Sequence, residues 1–227
     1  MNGAGPLDAV LARERVTWLF LGDSITQGVV HTRGWRSYAE LVTEHLRGPA
    51  LRRRPDAVVN SAVDGSRTGD LLDDYAWRVS RFAPDVVLVL FGTNDLTAGP
   101  AGADGFADRL TEIVRRCREA GALVVLQTPP PVLPSGERTP ELHALYATRV
   151  RAVAAHEHTL LVDHAAAWAA AAAARGEERA PRAWMSDAFH PNERGHRAMA
   201  REVLRALGLG DESSPVWRLG EETEEHV

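Results

Sequence analysis

Apolar residues fall along this chain in two alternating patterns. Five short runs are almost continuously apolar and rich in β-branched residues: 16–21, 57–60, 85–91, 123–127 and 159–162. Runs of this length and density are what strands covered on both faces look like. Between them lie longer segments with helical spacing, at 35–46, 68–82, 106–120, 140–156, 163–174 and 193–207. The segment 35–46 places Tyr38, Leu41, Val42 and Leu46 near one face. Thr68 offers an N-cap with Asp70 in the first turn, and Gly121 and Gly208 offer C-terminal stops.

Five strands that alternate with helices predict an α/β fold, a five-stranded parallel sheet between two helical layers. Right-handed crossovers restrict its topology, and a flavodoxin-like strand order 2-1-3-4-5 is expected. Residues 1–210 are expected to form one domain. Residues 211–227, with the acidic stretch Glu221-Glu222-Thr223-Glu224-Glu225, are expected to form a solvated tail. Val216 and Trp217 lie beyond the last helix, with either the core or a partner open to them. A proline-rich loop at 129–140 follows the fourth strand.

Composition narrows the picture without redirecting it. The chain has 227 residues, 44% of them hydrophobic and 25% charged, with a net charge of −5. That is enough to bury a core, and it does not favour nucleic acid or an acidic membrane as partner. The single cysteine, Cys117, excludes an internal disulfide and reads as a structural thiol on a helix. No basic-then-apolar leader precedes residue 15, and the alanine-rich run at 165–174 is too short to span a bilayer, so the expected location is the cytoplasm.

Open parallel sheets bind ligands at the carboxyl ends of their strands. The first strand runs into Gly22-Asp23-Ser24-Ile25, where Ser24 is either a nucleophile at the site's mouth or part of an ordinary helix cap. The second leads to Gly65, a turn glycine or a backbone N–H offered to substrate. The third leads to Gly92-Thr93-Asn94-Asp95, where Asn94 is an Asx turn or an amide donor to an oxyanion. Near the C-terminus, Asp187-Ala188-Phe189-His190-Pro191 sets a carboxylate three residues before a histidine. Such a carboxylate can hold the imidazole Nδ1–H and free Nε2 to take a proton. Alone, each has a plainer structural explanation. Together they supply a nucleophile, oxyanion donors and an oriented base at one sheet edge, in the chain order Ser, Asp, His.

This set resembles the SGNH hydrolases, the GDSL esterases and lipases. The blocks are Gly22-Asp23-Ser24-Ile25, Gly65 within 60–68, Gly92-Thr93-Asn94-Asp95, and Asp187 to Asn192. Ile25 stands where the family name has Leu, and Ala62 where many members have Gly. The resemblance spans about 16–207. It implies the same three-layer fold, no metal and no organic cofactor, and a catalytic Ser24, Asp187 and His190 with oxyanion donors at Ser24, Gly65 and Asn94. It speaks against the α/β-hydrolase fold, whose G-x-S-x-G elbow is missing.

The expected substrate is a small-molecule ester with a short acyl group such as acetyl, on a carbohydrate or other alcohol. Acyl transfer from the same acyl-enzyme and a non-catalytic binding module are the alternatives. Asp23 and Asp95 are expected to brace loops. Asp163-His164 is a rival acid–histidine pair better explained as a helix cap. His31 and His45 lack the spacing or cysteine partners of a metal site.

Overall fold

The computed structural model describes residues 6–48, 56–175, 180–211 and 214–218. In chain order the elements are α1 (Pro6–Leu11), β1 (Thr17–Gly22), α2 (Ser24–Gln27), α3 (Tyr38–Arg47), β2 (Ala57–Asn60), α4 (Thr68–Asp73), α5 (Tyr75–Arg78), β3 (Val86–Leu90), α6 (Ala103–Glu119), β4 (Leu123–Gln127), α7 (Pro140–His156), β5 (Leu160–Val162), α8 (His164–Arg175), α9 (Ala180–Ala183), α10 (Glu193–Ala206) and α11 (Pro215–Arg218). Short 3₁₀ turns occur at Val30–Thr32, Ser80–Phe82, Asp95–Ala98 and Pro100–Gly102.

All five strands pair in parallel in the order β2-β1-β3-β4-β5, as the alternating pattern predicts. Successive residues of β1 point to opposite faces. Trp18 and Phe20 join one buried cluster with α1, α3, α8, α10 and α11. Leu19 and Leu21 join the other with α4, α6 and α7. The sheet is therefore covered on both sides, and β1, β3 and β4 are buried almost throughout. The edge strand β2 is only half-buried.

The register aligns Gly22 with Leu90, Leu90 with Gln127, and Gln127 with Val162. Four strands thus end on one line, and the loops that follow leave side by side. A polar chain lies behind that line. The Thr26 and Tyr38 hydroxyls are 3.0 Å apart, Gln127 Nε2 donates to the Tyr38 hydroxyl at 3.2 Å, and Gln127 Oε1 lies 3.0 Å from His164 Nε2. Every one of these side chains is buried.

The helix expected over 68–82 is instead two short helices, α4 and α5, followed by a 3₁₀ turn. Asp74 leaves helical geometry with φ −100° and ψ 20°, and Ala83 closes the turn in the left-handed region. Helix α3 starts at Tyr38 rather than at 35, because Ser37 and Glu40 form a reciprocal capping box. Val216 and Trp217 pack into the cluster that contains α3 and α10. The acidic stretch at 221–225 lies outside the described residues. No helix among the described residues is long and apolar enough to cross a membrane.

Gly22 ends β1 where a side chain has no room. A Cβ there would lie 2.3 Å from Thr26 Oγ1 and 2.7 Å from the Leu90 carbonyl oxygen. Gly22→Ala is expected to lower stability by about 1–3 kcal/mol through overpacking, read as a lower denaturant midpoint. An unchanged midpoint would show that the β1–α2 junction relaxes freely.

Candidate active site

Ser24 is the first residue of α2, separated from the end of β1 by Asp23 alone. Asp23 caps this short helix by accepting the Ile25 N–H at 3.0 Å, and Gly28 closes it at φ 70°. Ser24 Oγ lies 2.9 Å from His190 Nε2, and His190 Nδ1 lies 2.8 Å from Asp187 Oδ2. With its proton on Nδ1, the imidazole donates to Asp187 and accepts from the Ser24 hydroxyl.

The loop that carries the acid and the histidine is folded on itself. Asp187 Oδ1 accepts the N–H groups of Phe189 and His190, both at 2.9 Å. Ser186 N donates to the His190 carbonyl at 2.8 Å. Burial pushes the Asp187 carboxyl up, but the two backbone N–H groups and His190 outweigh it and hold the group below its ordinary value. Burial pushes the His190 imidazole below 6.5, and Asp187 opposes that shift. At neutral pH the pair is therefore a carboxylate beside a neutral imidazole.

Gly65 and Asn94 come to the same edge. Gly65 has φ 71° and open space where a side chain would stand, so backbone conformation rather than crowding calls for glycine. Its loop is sewn to the Ser24 loop: Val63 N donates to the Gly22 carbonyl, Asn60 Nδ2 to the Thr26 carbonyl and Asp64 N to Gln27 Oε1. Asn94 is buried, and its Nδ2 donates to the Ser66 carbonyl at 3.3 Å.

Behind these loops sits Arg78, a buried residue without a recognisable sequence signal. Its guanidinium donates to the carbonyls of Gly22 and Ser61, both at 3.2 Å, and to Ser66 Oγ at 2.7 Å. One cation thus ties the end of β1 to both ends of the Gly65 loop. His31 was also missed as a neighbour of His190. Its ring stacks on that of His190 with centroids 3.4 Å apart and planes 6° from parallel. Ser186 Oγ donates to the His31 carbonyl at 3.2 Å, fixing the segment that carries it.

His31, Asp187 and His190 form the one group among the described residues with metal-ligand proximity. The arrangement does not suit an ion. Both His190 nitrogens are committed to Ser24 and Asp187, and the lone pairs of two stacked rings run parallel rather than converge. His45 is used otherwise, between Ser214 Oγ and the Leu209 carbonyl. Asp163 pairs with Arg151 and caps α8 through the Ala166 N–H. Its neighbour His164 bonds Gln127, and burial pushes it down to about 3. Cys117 is buried and accepts the Tyr75 hydroxyl.

A model of the GDSL-like Lipase/Acylhydrolase family matches residues 20–198. The chain belongs to this family. Carboxylic ester hydrolysis is the activity that membership carries. An acetylxylan esterase of Geobacillus stearothermophilus is 26% identical over 209 residues, covering 84% of this chain and 93% of that protein. An uncharacterized protein of Mycoplasma pneumoniae is 34% identical over 111 residues; these are 47% of this chain, and the match spans only 12% of that protein. Among solved structures, the acetylxylan esterase Axe2 of Geobacillus stearothermophilus superposes with a TM-score of 0.71 at 24% identity, covering 86% of this chain and 95% of its own. At that identity the likeness shows the shared fold.

Two buried carboxylates brace the site's loops. Asp95 accepts from the Thr68 N–H and hydroxyl, and burial raises it. Burial also pushes Asp23 up to about 7 from 3.8, helped by nearby Asp95 and opposed by the Ile25 N–H. Between those pH values the folded chain holds a proton on Asp23 that the unfolded chain has lost. Stability therefore falls as pH rises from about 4 to about 7, and levels off above. Asp23→Asn keeps the capping oxygen and removes the titration. At pH 8 it is expected to be more stable than the parent by on the order of 1–3 kcal/mol, an advantage that vanishes near pH 4. Parallel stability–pH curves for the two proteins would contradict this.

Proposed function

We propose that Ser24, His190 and Asp187 are the catalytic triad of a serine esterase that removes short acyl groups, acetyl above all, from the hydroxyls of a carbohydrate or other small alcohol. The observation that carries this is the unbroken chain from Ser24 Oγ to His190 at 2.9 Å and from His190 to Asp187 at 2.8 Å. Similarity to an acetylxylan esterase over 84% of the chain supports the acetyl group and the carbohydrate alcohol.

In this mechanism Ser24 Oγ attacks the ester carbonyl as its proton passes to His190 Nε2. Asp187 stabilises the imidazolium through Nδ1–H. His190 then hands the proton to the departing alcohol, leaving Ser24 acylated. Water, deprotonated by His190, releases the acid. The N–H groups of Ser24 and Gly65 and the Asn94 amide hold the oxyanion. Asn94 Nδ2 gives one hydrogen to the Ser66 carbonyl and has the second for this purpose. The Ser24 N–H belongs to the first turn of α2, where backbone donors lack intrahelical acceptors.

The base must be neutral to act, so its depressed pKa sets the acid limb of the reaction. Plotted against pH, kcat/KM for 4-nitrophenyl acetate is expected to fall on acidification with a midpoint below 6.5, the ordinary imidazole value. A midpoint above that value would mean that another group governs activity.

Substitution tests the roles directly. Ser24→Ala and His190→Ala are each expected to abolish turnover and fluorophosphonate labelling of Ser24. Asn94→Ala should lower kcat by about 100- to 1000-fold. Across nitrophenyl esters, acetate should exceed butyrate and octanoate. A well-folded Ser24→Ala variant that retains activity would sink the triad; a preference for octanoate would sink the acetyl assignment alone.

A further inference from the structure

Arg138 enters the site from the proline-rich loop between β4 and α7. Its Nε donates to the Thr93 carbonyl at 3.1 Å and an Nη to Asn94 Oδ1 at 2.9 Å. Its guanidinium lies 4.2 Å from the centroid of the Phe189 ring, which in turn lies 4.4 Å from that of His190. The loop is fastened to the same segment where Leu133 N donates to the Ala188 carbonyl at 2.6 Å.

We propose that Arg138 is a positioning residue that fixes the Asn94 amide with its N–H groups toward the oxyanion. The proposal rests on Asn94 being an oxyanion donor. The two ends of a primary amide are nearly the same size, so hydrogen-bond partners rather than sterics decide which way it faces. Here both partners choose the same way. Arg138 offers only donors and requires the oxygen, whereas the Ser66 carbonyl offers only an acceptor and requires the nitrogen. A flipped amide would set two donors against each other at one end and two acceptors at the other. That penalty is high in a buried site.

Charge adds to orientation. Bonds from a charged donor are roughly twice as strong as neutral ones. A cation on Oδ1 draws electron density from the amide and makes Nδ2–H a better donor. No carboxylate pairs with Arg138 among the described residues, so its charge is not cancelled beside the developing oxyanion. The fork geometry matters too. Nε and Nη reach Thr93 and Asn94 together, and the planar group rests on Phe189, a combination lysine cannot reproduce.

The test is a double-mutant cycle on 4-nitrophenyl acetate hydrolysis with Arg138→Met, Asn94→Ala and the combined variant. Arg138→Met is expected to lower kcat by about 10- to 100-fold, part of the loss for a missing oxyanion donor, with KM within about twofold. In the Asn94→Ala background the same substitution should cost less than about threefold, because coupled residues are not additive. Arg138→Lys should recover part of kcat by restoring charge, and serves in place of Arg138→Met if that variant does not fold. Equal losses in both backgrounds would overturn the Arg138 role and leave Asn94 as a donor. An unchanged kcat in Asn94→Ala would overturn the donor assignment and this proposal with it. A kcat loss that only tracks a lowered melting temperature would make Arg138 a stability residue.

Discussion

In a parallel sheet every strand runs out at the same edge, and this constraint organises the whole molecule. The aligned ends at Gly22, Leu90, Gln127 and Val162 leave three loops and the start of α8 side by side. Chain segments far apart in sequence can then meet without any long excursion. That proximity still has to be made exact. Arg78 does so from behind, by giving three separate donors to oxygens of the Gly22, Ser61 and Ser66 positions. A buried guanidinium is costly, and burial pushes its pKa down. Its donors meet the Ser61 carbonyl, the Ser66 hydroxyl and the Gly22 carbonyl, the last also held by the Val63 N–H, and these bonds offset the cost of burying the cation.

Three carboxylates near the site show how environment assigns different duties to one functional group. Asp187 accepts two backbone N–H groups as well as the imidazole, and it is charged. Asp23 has one backbone donor and a buried, unpartnered second oxygen, so it holds its proton far longer. Asp95 is raised for the same reason, and its bonds go to Thr68 at the head of α4. Only Asp187 is suited to stabilise an imidazolium. Asp23, pushed up to about 7, keeps its proton only on the acid side of neutrality, so its part is to cap α2 through the Ile25 N–H.

The sheet order was legible because each strand is a nearly unbroken apolar run and each crossover a helical one. The proposed triad was legible because its members belong to short local patterns, Gly22-Asp23-Ser24-Ile25 and Asp187-Ala188-Phe189-His190. The interruption of 68–82 was not, since Asp74 is compatible with a helix and nothing local marks it as the point where the helix breaks. Nor were Arg78 and Arg138. Each is one arginine among many along the chain, and its partners are backbone oxygens, a hydroxyl and an amide with no pattern of their own. His31 was noticed only as a possible ligand. Its stacking on His190 comes with a bond from Ser186 to its carbonyl, a contact between residues 155 positions apart.

A site built this way is stiff by construction. The 129–140 loop begins with three prolines, which fix φ, and is then held by Leu133 to Ala188 and by Arg138 to Thr93 and Asn94. Below the Ser24 loop, the Thr26–Tyr38–Gln127–His164 chain links α2, α3, β4 and α8, and burial pushes His164 so far down that it stays neutral with Nε2 toward Gln127 Oε1. Neither set of bonds includes Ser24, Asp187 or His190, yet both fasten the loops that carry or adjoin them. Preorganised donors help catalysis because they need not reorient when charge appears. For the small acyl group proposed as substrate, which brings little binding energy of its own to assemble a site, that order has to be present in the fold before substrate arrives.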